Sequence, residues 1–237
     1  MLGLATSVSN TSYQWQPTFV GADLKLWLRN GVGITLNGAD VSQWDDSSGN
    51  GNHAAQSTAG DQGLASSGGI DFELDNEDHY DLASAITIAV QEAFMAFFVL
   101  NLETVSAAGL LGESAAAFIE LTNNKKVKFK STGTGGANVT AQAASGTPFA
   151  TGSKFVLGVK RDSGSTGNVH MYKNGTLITP TSQVTSPGSI AIDTVGTKHD
   201  SNFLDGILYE VLIYDTTDLT ASEISKISNY LVNKHGI

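Results

Sequence analysis

The chain has 237 residues, 26 of them glycine, and only 15% are charged, which suits one large domain of many short strands joined by tight turns. Thirteen basic against 23 acidic residues give a formal net charge of -10, a surface that repels phosphate backbones and argues against nucleic acid as a partner. No run of about eighteen apolar residues is present to cross a membrane as a helix, and with no cysteine there are no disulfides or thiolate metal sites.

Residues 1–20 are polar, rich in Ser and Thr, and carry Tyr13, Trp15 and Phe19 without a clear period. They read as an arm ahead of a domain spanning 21–237. The opening MLGLATSVSNTSYQWQ has no basic segment and too short an apolar run for a secretory signal, so the protein is expected to stay in the cell that makes it. From Asp23 onward strands follow one another. Leu24, Leu26 and Leu28 alternate with Lys25, Trp27 and Arg29, and Trp27 and Trp44 lie within strand patterns that place them in the core. Asp45, Asp46, Asn50 and Asn52 then crowd oxygen ligands into a Gly-containing loop. A hard cation such as calcium would accept these ligands, and the same residues beside Gly also make tight turns.

Residues 94–102 form a dense apolar run fit for a central strand buried on both faces. Val127 and Phe129 alternate with Lys126, Lys128 and Lys130, and Phe155, Leu157 and Val159 keep the same period. The stretch 131–147, rich in Gly, Ala, Ser and Thr, reads as an exposed loop or a weak edge strand. Residues 169–179 read as a hairpin turning at Asn174-Gly175, and Ile190 and Ile192 mark another strand.

The last segment is the best punctuated. Ile207, Tyr209, Val211 and Ile213 alternate with a second row that includes Glu210, a carboxylate that must find donors or face solvent. Thr220 and Glu223 make a capping box, and Leu219 and Ile224 occupy the staple positions. Ile224, Ile227 and Leu231 share a helical face, and Gly236 with Ile237 completes a C-terminal cap, so the chain reads as ending on its own stop. Many short strands and one confident helix predict an all-β, two-sheet antiparallel sandwich with a short C-terminal helix.

Four segments carry a resemblance. ADLKLWLRNGVGITLNGADVSQWDDSSGNGNHAAQ, IDFELDNEDHYDLAS, VHMYKNGTLIT and LDGILYEVLIYDTTDLTASEISKISNYLVNKHGI, in this order, resemble the conserved elements of concanavalin A-like, laminin-G-like jelly-roll domains. The likeness covers 21–237 and implies a jelly roll. Such domains serve as carbohydrate- or protein-binding modules of secreted bacterial proteins and as parts of tailed-phage virions.

A chain without a signal peptide but with an arm points, by analogy, to the virion version. The expected function is a non-enzymatic structural or decoration protein of a phage particle. Tyr13, Trp15 and Phe19 would anchor it to other virion subunits in an oligomeric assembly. The alternative is a carbohydrate- or cell-surface-binding module, with glycans as the partner; a glycan hydrolase comes third. That third reading rests on Glu73, Asp75 and Glu77, which resemble the carboxylate strand of jelly-roll glycanases, although Asp75-Asn76 is turn chemistry. The five histidines, His53, His79, His170, His199 and His235, are too scattered for a zinc site and read as surface or turn residues. No cofactor is expected, with calcium at the Asp45 loop the one open possibility.

Overall fold

A computed structural model describes residues 15–20, 23–105, 107–113, 117–198 and 201–237. Its first strands are β1 (Asp23–Leu28), β2 (Ile34–Asn37), β3 (Asp40–Trp44), β4 (Ala54–Ala55), β5 (Leu64–Ser66) and β6 (Gly69–Phe72). Then come β7 (Tyr80–Ile88), β8 (Ala93–Leu102), β9 (Ala108–Gly112), β10 (Phe118–Asn123), β11 (Lys126–Lys130) and β12 (Asn138–Gln142). The last are β13 (Phe155–Arg161), β14 (Asn168–Lys173), β15 (Thr176–Ile178), β16 (Val184–Thr185), β17 (Ile190–Val195) and β18 (Gly206–Thr216), before one helix, α1 (Ala221–His235).

All the strand pairings are antiparallel. One layer runs β1-β18-β8-β13-β14, with β15 and β16 beside β14. The other runs β4-β7-β17-β9-β10-β11-β12, with β3 and β2 continuing beyond β4. Short strands β5 and β6 bridge the layers, β6 pairing with the start of β18 and β5 with β3. The result is the expected antiparallel sandwich. Central strand β8 is buried on both faces along nearly its whole length, and the stretch 131–147 supplies the edge strand β12.

Two apolar clusters explain the layering. The larger lies between the sheets and includes Leu26, Phe98, Leu157 and Val211. The smaller lies on the outer face of the β1-β18-β8 layer, where Trp27, Phe97, Leu212 and Tyr214 meet Leu219, just ahead of α1, and Ile224, Ile227 and Leu231 within it. The helix thus forms a third layer. It starts at Thr220, whose side chain accepts the Glu223 amide while Glu223 accepts from the Thr220 amide, and it stops at Gly236, in the left-handed region at φ 65°. The Asn174-Gly175 turn has both residues at positive φ, 49° and 81°, and its tip approaches Ser228 of α1 so closely that a Cβ at Gly175 would sit 2.9 Å from the serine Cβ.

Two breaks in strict alternation shape the helix side of the sandwich. The β1–β18 register shifts between Leu24 and Leu26, and the β18–β8 register shifts between Leu208 and Glu210. Each extra residue swaps the faces. Leu24 therefore joins the outer cluster while Leu26 and Leu28 point between the sheets. Likewise Ile207 and Tyr209 face the helix side, whereas Val211 and Ile213 face the interior. The expected single row of Ile207, Tyr209, Val211 and Ile213 is thus split, and the bulge delivers Glu210 beneath α1.

Candidate functional site

The site grows from that bulge. Glu210 is 0% exposed. One of its oxygens accepts from the Trp27 indole N–H at 2.7 Å; the other lies 2.7 Å from both Lys234 Nζ and His235 Nε2. A carboxylate only accepts, so the imidazole donates from Nε2. Burial alone would raise the Glu210 carboxyl, but donation from His235, Lys234 and Trp27 outweighs it and holds the group below its ordinary range. The structural hydrogen bond expected for Glu210 is present, and it fastens the last turn of α1 to β1 and β18. His235 is correspondingly buried rather than a surface residue, its side chain only 3% exposed.

Above this anchor lies a cleft of about 600 Å³ lined by Trp15, Arg29, Lys226, Asn229, Tyr230, Asn233 and Lys234. Its floor is one helical stripe, since 226, 229, 230, 233 and 234 recur at three and four residues. The arm closes one side. Trp15 stands edge-on to Tyr230 with ring centroids 6.0 Å apart, and Pro17 O accepts from the buried Tyr214 hydroxyl at 3.1 Å. Tyr230 also meets the Trp27 ring at 6.4 Å. Burial and the Glu210 charge raise the Tyr230 phenol, with Arg29 opposing them. The Arg29 guanidinium sits 4.9 Å from the Trp27 ring centroid. Its Nε is buried and has no hydrogen-bond partner among the described residues.

Of the residues expected to anchor the arm to other subunits, Trp15 packs on its own domain. Phe19 lies on the 3-10 turn Pro17–Phe19, 53% exposed and outside the cleft lining, and Tyr13 lies outside the described residues.

The loop holding Asp45, Asp46, Asn50 and Asn52 covers the free edge of β1. Asp46 Oδ1 accepts from the Trp27 and Ser48 amides, and Oδ2 from Ser48 Oγ and the Asn52 amide, which uses the four lone-pair sites of a carboxylate. Asn50 and Asn52 donate their side-chain N–H groups to Leu24 O at 2.8 Å and Lys25 O at 3.0 Å, and Asp45 accepts from Gln43 at 2.6 Å. Asp46, Asn50 and Asn52 thus satisfy an edge strand that would otherwise present unpaired backbone. Among the described residues no group of three His, Cys, Asp or Glu is placed to hold a metal ion.

Glu73, Asp75 and Glu77 do not share a strand face. They surround the 3-10 turn Leu74–Asn76, with Glu77 left-handed at φ 60°. Burial and the neighbouring Asp71 raise the Glu73 carboxyl, but Asp75 and Glu77, which the hydrolase reading pairs with it, stand exposed on the turn. A second cleft of about 370 Å³, lined by Gln43, His53, Ala55, Ser57, Asp81, Leu82 and Ala83, offers neither Trp nor Tyr.

Neither a protein-family model nor a curated protein matches the sequence. Solved structures do. The binding domain of Paraclostridial Mosquitocidal Protein 1 superposes with TM-score 0.60 at 15% identity, over 92% of this chain and 54% of that one. The botulinum neurotoxin serotype D binding domain gives 0.52 at 11% identity, over 89% and 51%. The serotype D ligand-binding domain in complex with N-acetylneuraminic acid gives 0.51 at 13% identity, again over 89% and 51%. The chain spans about half the length of these neighbours. It is similar to them in fold: an antiparallel β sandwich.

Sequence reasoning found Trp15 and Glu210 but missed Arg29 and the stripe Lys226–Lys234. The signal for the stripe was present, because it runs beside Ile224, Ile227 and Leu231 at the same period and carries an aromatic among amides and cations.

Proposed function

We propose that this domain is a non-catalytic carbohydrate- or cell-surface-binding module whose site is the cleft between the arm and α1. The observation that carries this reading is the lining: two aromatic rings, two side-chain amides and three cations on a floor fixed by Glu210. Rings supply apolar contact for sugar C–H faces, amides pair with hydroxyls, and a pre-formed site loses little entropy on binding. The fold neighbours, named as binding domains, support the same reading, one of them having been solved with a sugar acid bound.

The phage-particle reading assigned Trp15 to a neighbouring subunit. Its packing against Tyr230 gives it a role within the chain and favours the binding-module reading. The test is a glycan array probed with the full chain, followed by Trp15→Ala and Tyr230→Ala. Each variant should weaken binding about 10-fold. Absence of binding across the array, or full binding by both variants, refutes the proposal.

A further inference from the structure

We infer, resting on the binding reading above, that the cleft selects an anionic saccharide, its acid group seated on Arg29 and flanked by Lys226. The chain carries ten more acidic than basic residues, yet the lining holds Arg29, Lys226 and Lys234 and no carboxylate. These three cations are not equivalent. Lys234 is neutralised from behind by Glu210, which His235 and Trp27 also engage. Among the described residues no carboxylate lies within ion-pair distance of Arg29 or Lys226.

The Arg29 guanidinium lies over the Trp27 ring, and among the described residues its buried Nε has no acceptor. A desolvated donor without a partner is costly, and a planar guanidinium is completed best by a two-oxygen acid group. Residues 1–14 contain no Asp or Glu, so that stretch of the arm has no acid side chain to offer. An acid group on the ligand would pair with this guanidinium. With it on Arg29, the sugar ring rests against the Trp15–Tyr230 pair, and Asn229 and Asn233 are left for its hydroxyls. A neutral sugar would fill the same space and leave Arg29 incomplete.

The experiment uses the full chain on an array of sialylated, uronate and sulfated glycans, each beside its desialylated, methyl-esterified or desulfated counterpart. Titration calorimetry of the tightest acidic glycan and its neutral counterpart follows. The acidic member should bind about 10- to 100-fold more tightly, with an advantage that shrinks at high salt. Arg29→Gln should cut the acidic-to-neutral affinity ratio at least about 10-fold, and Lys226→Gln, on an exposed side chain that cannot unsettle the core, a few-fold. Tight binding of only carboxylated or only sulfated glycans supports the inference and names the acid group. Equal binding of acidic and neutral counterparts, or a ratio untouched by both variants, overturns the inference while the binding reading stands. No binding to any member overturns both.

Discussion

Arg161 and Glu210 both bury a charge in the same layer, and they are satisfied in opposite ways. Arg161, at the end of β13, is 0% exposed and donates only to backbone: to Glu92 O at 2.6 and 3.0 Å, to Ala89 O at 3.2 Å, and to Ser186 O and Gly188 O. Burial draws its pKa down to about 10 despite the nearby acids Asp215 and Glu92, so it stays charged at neutral pH. Glu210, equally buried, is satisfied by side chains from β1 and α1, one of which, Lys234, also lines the cleft. A buried ion held by loop carbonyls staples two loops. One held by side chains at the floor of a cleft transmits its geometry to whatever binds there.

The difference predicts which substitutions cost stability alone and which also cost binding. Arg161→Met leaves several buried carbonyls without donors and should destabilise the fold by about 4 kcal/mol, lowering the melting temperature by about 10 °C. Glycan affinity measured well below that temperature should be unchanged. Glu210→Gln should cost about 3 kcal/mol, because it leaves Lys234 and His235 facing a neutral group, and it should weaken glycan binding as well. If both variants affect binding equally, the two buried ions do not differ in the way proposed.

Acid sharpens the same contrast. The folded-state pKa of Glu210 lies below its ordinary value near ~4.3, so its stabilisation is fully present above that value and is lost as the pH falls through the lower one. Denaturant unfolding between pH 7 and pH 3 should show a steeper loss in the wild type than in Glu210→Gln. Arg161 does not titrate in that window, so Arg161→Met should keep the wild-type slope. The smallest effect is expected at Thr220→Ala, which removes the capping box remote from the C-terminal turn of α1. It should cost about 1 kcal/mol in denaturant unfolding and leave glycan affinity intact.

What was legible in the sequence follows the range of the interactions. The bounds and the apolar face of helix α1 could be read because its cap, its apolar period and its glycine stop are local. The alternation in β11 and β13 likewise placed Val127, Phe129, Phe155 and Leu157 inside. That row continues to Arg161, so a buried arginine was visible as a cation in phase with an apolar row, but its acceptors lie in distant loops. Glu210 was legible only as an oddity. Its partner Trp27 is 183 residues away, and the bulge that turns it toward α1 leaves no mark in a two-residue period. The Asp45 loop showed its oxygens but not the edge of β1 that they satisfy. The cleft was hardest to read, since arm, strand end and helix meet only in three dimensions.

The glycan-binding cleft is probed most directly by amide and side-chain chemical-shift mapping of the full chain during titration with its tightest array glycan. The largest shifts are expected at the Trp15 indole, Arg29, and the Asn229 and Asn233 side-chain amides. Shifts gathered instead around Gln43, His53 and Asp81, or scattered without a centre, would contradict that placement of the site.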